Sequence, residues 1–324
     1  MEFSCAFATS MDTPDQVALA ERLGYRRAWL YDSPALYPDV WMTLALAAER
    51  TDTIGLGPAV LVPSLRHPMV NAAATATLAA AAPGRVAIAI GSGFTGRMVL
   101  GQRPMRWADV AAYVRALRGL LRGEEVEWEG HALRMLHPRR FGAPRPIDVP
   151  ILIGASGPKG LAVAAELGDG VFSGGVPQAC DAPWHALLAF GTVLDEGEAP
   201  TSPRAVAAGG PGLVVALHGT YEWSGEAVDG FPGGKAWRAA VEETPEPSRH
   251  LAVHEGHLVE LNDRDRLAID ELAPLMTSFG LSGTAGEVRA KVEGFAAAGV
   301  TEVAYQPAGP DIERELRAFI DAVA

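Results

Sequence analysis

The feature that most limits the fold of this chain is an alternation of two apolar periods along nearly its whole length. Short continuous apolar runs mark strands buried on both faces. Stretches with apolar residues every three to four positions mark helices packed along one side. Glu2–Ala8 reads as the first strand. Thr13–Gly24 then reads as a helix, with Thr13 as N-cap, Pro14 at the first helical position, Gln16 three after the cap, and Gly24 as the stop. Strand Arg26–Asp32, helix Asp39–Arg50, strand Ile54–Leu61, helix Met69–Ala82, strand Arg85–Ile90 and helix Trp107–Arg122 follow.

After Leu121 the order falters. Glu125–Leu136 predicts a hairpin, and Pro138–Pro150 a proline-rich surface connection. Alternation resumes with strand Pro150–Gly154, helix Gly157–Gly168, strand Gly170–Ser173, a helix near Pro183–Glu196 and strand Gly212–His218. The segment 219–281 is rich in Gly, Pro and His and lacks clear alternation. A helix opened by a Thr284/Glu287 capping box, strand Thr301–Gln306 and helix Asp311–Ala322 close the chain.

About eight strands alternating with helices predict an α/β fold of the closed (β/α)8, or TIM, barrel type. Such a barrel takes roughly 250 residues, and the excess in this 324-residue chain falls in 219–281. The expectation is one domain over 1–324, with 219–281 as an irregular insertion before the last αβ unit, folded over the barrel mouth as a lid.

Gly91, Gly93 and Gly96 have the G-x-G-x-x-G spacing of a dinucleotide-binding turn. That fingerprint belongs on the first strand of its domain and opens a helix at once. Here it ends the fourth strand, and Pro104 interrupts the run before the next good helix. The glycines are better placed in a loop at the C-terminal mouth of a barrel.

Function in a barrel collects at the C-terminal strand ends. Those ends carry a single carboxylate, Asp32, and neither a Ser-His-Asp set nor paired carboxylates. A mouth so poor in reactive side chains points to a bound cofactor that carries the chemistry. Gly154–Pro158 is the best anion site: small residues lead straight into a helix, leaving free N–H groups and the Ser156 hydroxyl for a phosphate. Asp32 contacts a cofactor or caps the loop before Pro34; His67 orients a ligand or caps a turn. His250, His254 and His257 lack the H-E-x-x-H spacing, so no metal is expected there, and a substrate-facing lid histidine is the reading retained.

Composition limits the partners. Lys and Arg number 27 against 39 Asp and Glu, a net charge of −12, which argues against nucleic acid. No apolar run approaches a membrane span and no basic-then-apolar leader precedes residue 10. Two cysteines make no disulfide framework. A cytoplasmic protein is expected.

These residues resemble the luciferase-like flavin-dependent oxidoreductases, most nearly the branch that uses the 8-hydroxy-5-deazaflavin coenzyme F420, such as methylenetetrahydromethanopterin reductase. The resemblance is carried by the segments 23–33, 53–68, 83–93, 148–158 and 164–171. It implies a non-proline cis peptide at Ala59–Val60 against the cofactor ring, and Asp32 contacting the ring system as the candidate catalytic carboxylate. It also implies that Gly91 and Gly93, with Ala155, Ser156, Gly157 and Pro158, hold the phosphate-bearing tail, and that Ser173 and Gly174 line the next loop. His254 and His257 are the further catalytic candidates. The Gly154–Pro158 turn favours the deazaflavin over FMN.

The implied function is hydride transfer between F420 and an organic substrate. The alternatives are an FMN-dependent monooxygenase and a non-catalytic flavin or deazaflavin carrier. Ala6, Ser33 and Phe94 stand where relatives carry polar groups, so the substrate is expected to be small and uncharged or partly apolar. Helix Met69–Ala82, almost entirely small and apolar, predicts a homodimer.

Overall fold

A computed structural model describes residues 1–324. Eight parallel strands form the barrel: β1 (Glu2–Phe7), β2 (Arg27–Leu30), β3 (Gly55–Pro58), β4 (Ile88–Gly91), β5 (Ile151–Gly154), β6 (Gly170–Gly174), β7 (His185–Phe190) and β8 (Glu302–Gln306). Their hydrogen-bonded order is β3-β2-β1-β8-β7-β6-β5-β4. Parallel bridges Leu56–Val86 and Leu61–Ile90 join β3 to the β4 side and complete the ring.

The helices are α1 (Thr13–Arg22), α2 (Val40–Ala48), α3 (Pro68–Ala81), α4 (Phe94–Met98), α5 (Trp107–Arg122), α6 (Pro158–Leu167), α7 (Pro203–Ser224), α8 (Gly234–Glu242), α9 (Arg249–His254), α10 (Arg266–Leu272), α11 (Ala285–Ala297) and α12 (Ile312–Val323). The hairpin is present as strands Val126–Trp128 and His131–Leu133. No helix is long and apolar enough to cross a membrane.

Side chains alternate across each barrel strand, so one set points into the lumen and the other meets the helices. The lumen is filled by Ala6, Ala87, Ala89, Ala186 and Ala304 around Trp29, Leu152 and Phe172. At its N-terminal end the buried Glu302 accepts hydrogen bonds from Trp29 Nε1 and Trp184 Nε1, each at 2.7 Å. The Arg27 guanidinium lies over both indoles. This charged floor lies at the end of a barrel that serves stability; the C-terminal mouth is left for chemistry.

Three local expectations are corrected. The Thr13 cap does not form: Asp12 is the N-cap without a side-chain hydrogen bond, and Thr13 Oγ1 instead accepts from Ser10 N–H. The Thr284/Glu287 capping box does form.

The second correction exchanges two elements. The expected helix at 183–196 contains β7, and the expected strand 212–218 lies inside α7. The run Ala186–Phe190 is short and wholly apolar, and periodicity cannot tell such a run from a buried helix segment. The true start of α7 is Ser202, whose Oγ accepts from Ala205 N–H, followed by Pro203 at the first position. The β-branched pair Val214 and Val215 is overridden by packing. A Cβ on Gly212 would stand 2.6 Å from Phe190 Cβ, so the helix lies close against the end of β7.

The third correction is that 219–281 is largely helical, not irregular. It holds the C-terminal end of α7 and all of α8, α9 and α10, packed around Trp237, Val241, Val253 and Ile269. Arg204 Nη1 and Arg314 Nη1 both reach the buried Glu315 carboxylate, at 2.9 and 3.0 Å, fastening the base of α7 to α12.

Candidate functional site

The ends of β3, β4 and β5 converge on one side chain. The Ala59–Val60 peptide is cis, as the resemblance implies. Val60 lies against two glycines: a Cβ on Gly91 would stand 2.8 Å from Val60 Cγ2, and one on Gly154 2.6 Å from Val60 Cγ1. Neither position has room for a side chain. Gly93 follows in the left-handed region, φ 81°, where L side chains are strained. A planar ring laid on this surface meets backbone and one isopropyl group rather than projecting side chains.

Asp32 is 3% exposed at the end of β2. Its Oδ1 accepts from Arg66 Nη1 at 2.6 Å and its Oδ2 from Val62 N–H at 3.3 Å. Arg66 also donates to Asp39 Oδ2 at 2.7 Å. Burial pushes the Asp32 carboxyl up, and Arg66 and the Val62 N–H pull it back. At this separation from a guanidinium the pair is ionic. Asp32 is therefore the strut that holds the loop after β3, whose next residues include Val60. Arg66, the partner, was not among the predicted site residues; its only sequence signal is its place four residues beyond Val62. His67 is a cap: its Nδ1 accepts from Met69 N–H.

The turn after β5 divides in two. Ala155 is buried against Gly160, so only its backbone is available. Ser156 and Pro158 are exposed, Gly157 has an extended backbone with nothing near its missing Cβ, and no side chain caps α6. The free N–H groups of this ten-residue helix, with the exposed Lys159 beside them, suit an anion. In the next loop Gly174 is exposed, but Ser173 turns inward, its Oγ 2.9 Å from His185 Nε2. The residues present thus fit a flat ring on the glycine surface with a phosphate-bearing tail on α6.

Across the mouth the turn 256–260 descends from the helical insertion. Gln306 Nε2 donates to Leu258 O at 2.7 Å, and Tyr31 OH to Gln306 Oε1 at 2.5 Å. Tyr37 OH donates to the His257 carbonyl. Beneath this turn a cleft of about 430 Å³ is lined by Phe7, Leu36, Tyr37, His257, Leu258 and Gln306, on the β1–β8 side of the glycine surface.

The three histidines of 250–257 separate. His250 is half-buried beside Gly101. His254 and His257 are buried against a third histidine, His218 of α7. The misplacement of residues 212–218 in a strand concealed that meeting. Burial first, then the neighbouring His218 and His254, hold His257 well below its ordinary range, so its ring is neutral. Asp265, Trp237 and Glu222 surround the group and had no local signal in the sequence.

Comparison with known proteins agrees with this geometry. A 5,10-methylenetetrahydromethanopterin reductase of Archaeoglobus fulgidus is 28% identical over 351 residues, spanning 98% of this chain and 97% of its own. The solved structure of an F420-dependent secondary alcohol dehydrogenase, in complex with an F420–acetone adduct, superposes with a TM-score of 0.65 at 19% identity, covering 100% of this chain and 98% of that one. The FMN complex of the oxygenating constituent of 3,6-diketocamphane monooxygenase, from Pseudomonas putida, gives 0.61 at 14%, covering 100% and 99%. The family profile described as luciferase-like monooxygenase matches residues 8–302, and the chain belongs to that family.

Proposed function

We propose that this chain is an oxidoreductase that moves hydride between the deazaflavin coenzyme F420 and a small organic substrate. The observation that carries the reading is the side-chain-free surface where Gly91 and Gly154 close on Val60, set beside the uncapped start of α6. The full-length likeness to a methylenetetrahydromethanopterin reductase, and the partial likeness to an F420-dependent glucose-6-phosphate dehydrogenase, support it.

When bound, the deazaflavin supplies a ring carbon that takes up or gives hydride. The chain's own residues then have distinct tasks. Val60, Gly91 and Gly154 would seat the ring. Ser156, the Gly157 N–H and Lys159 would hold its phosphate. Arg66 and Asp32 keep the loop after β3 in place. Tyr31, Gln306 and the 256–260 turn close the mouth and exclude water. The cleft lining is mostly apolar, which suits a small substrate that is uncharged or partly apolar.

The FMN-bound structural neighbour makes an FMN monooxygenase the second reading. Anaerobic mixing with oxidised or reduced F420 and a panel of small alcohols, ketones and enones tests the first. A change in the deazaflavin visible band that depends on substrate supports it. Oxygen uptake with reduced FMN, and no such change, supports the second.

The same proposal includes a homodimer formed through the outer faces of α2 and α3, where Met42, Leu46 and Val70 are exposed. It also includes residence in the cytoplasm, which the two free cysteines support.

A further inference from the structure

We propose that His218, His254 and His257 form a binding site for one divalent transition-metal ion of the zinc class. One ring nitrogen from each lies within 4.8 Å of the others, and all three residues are buried. Tetrahedral coordination at about 2.0–2.1 Å sets imidazole nitrogens roughly 3.4 Å apart. His218 Nδ1 and His257 Nδ1 stand 3.0 Å apart, so that pair needs only to open slightly.

The rings are oriented as ligands are. Asp265 Oδ1 accepts from His218 Nε2 at 3.1 Å, which places that proton on Nε2 and leaves the Nδ1 lone pair facing the group. Trp237 Nε1–H, at 2.9 Å, and the Asn262 N–H, at 3.3 Å, hold Asp265 in turn. On the far side of His257, Nε2 is 3.4 Å from Thr95 Oγ1. His254 is the member that hydrogen bonding leaves unexplained: neither ring nitrogen has a hydrogen-bond partner, although the residue is 0% exposed. Its Nε2 lies 3.2 Å from Glu222 Oε1. A buried imidazole in that state is costly unless an ion completes it. Asp265 and Glu222 stand behind the imidazoles as two acidic side chains, the kind of outer partner that suits a metal ligand.

The site's place in the fold gives it a consequence. It ties α7 to α9 and to the turn 256–260, whose His257 and Leu258 carbonyls are held by Tyr37 and Gln306 at the mouth. The ion would fix the cap over the barrel. His257 also lines the cleft, which gives the ion a way in. This inference stands apart from the hydride reading, since metal content is measured without cofactor or substrate.

The test is elemental analysis of the purified full chain, followed by removal of metal with a chelator and titration with Co(II). About one zinc per chain, and the visible d–d bands of tetrahedral Co(II), are expected. Asp265→Asn should weaken affinity roughly 10–100-fold. His254→Ala should abolish the Co(II) bands, while His250→Ala, outside the cluster, leaves them unchanged. Circular dichroism checks that each variant is folded; should the cluster variants not fold, the wild-type titration decides alone. Folded wild-type protein with no zinc, no Co(II) bands and no thermal shift on adding zinc overturns the proposal. The three rings would then be a hydrogen-bonded histidine–carboxylate cluster.

Discussion

Gly154 concentrates the residue-scale argument, because its missing side chain is what lets Val60 sit between β4 and β5. Gly154→Ala forces a methyl within 2.6 Å of Val60 Cγ1, an overpacking that costs about 1–3 kcal/mol. We expect a lower chemical-denaturation midpoint and weakened F420 affinity. Adding Val60→Ala should restore most of the stability, and a double-mutant cycle with additive losses would refute the contact. Much at this scale was legible in the sequence. Its place at a strand end marked Asp32, the resemblance marked Ala59–Val60, and glycine patterns marked Gly91, Gly93 and the 154–158 turn, since close backbone approach needs glycine at fixed offsets. What was not legible was direction. Nothing local says that Ser173 turns toward His185, that Ala155 packs inward, or that Asp32 is held by Arg66, 34 positions on.

At the scale of elements, the start of α6 and the base of α7 carry separate predictions. Gly157 has open space where a side chain would go, so Gly157→Asp leaves folding intact, and a negative charge there suits a helix start. The same charge faces the cofactor's phosphate. We expect unchanged thermal stability with at least tenfold weaker F420 binding by fluorescence titration; unchanged affinity would remove α6 from the site. At α7, Glu198 accepts from Arg204, Ser202 and the Asp195 N–H, and Arg204 foremost holds its carboxyl down to about 2.

A depressed folded-state value gives stability that is fully present above the unfolded value of about 4.3 and is lost as pH falls toward 2. Glu198→Gln should flatten that part of the acid-denaturation curve, and an unaltered curve would count against the pairing. The alternation of periods made most elements readable, but β7 and α7 were exchanged. An apolar run of five residues fits either type, and only the neighbouring strands β6 and β8 decide it. The Ser202-Pro203 helix start was the local signal that could have corrected the reading.

At the scale of the whole molecule, the outer faces of α2 and α3 leave Met42 72%, Leu46 45% and Val70 52% exposed, alongside small residues. Adjacent apolar helix faces of this kind suit an isologous pair. Sedimentation equilibrium at micromolar concentration should return a dimer mass, and Leu46→Glu a monomer; a monomeric wild type would end that proposal. The barrel itself was legible because eight alternating units admit few other closed architectures, whereas the helical insertion was not, since its packing around Trp237 joins residues far apart in sequence. We propose that the glycine surface and the α6 start together form a deazaflavin seat. Parallel equilibrium titrations of the apo protein with F420 and with FMN, read by fluorescence, test it most directly. We predict saturable F420 binding at least tenfold tighter than FMN, weakened by Gly157→Asp; tighter binding of FMN, or no saturable binding of F420, would contradict it.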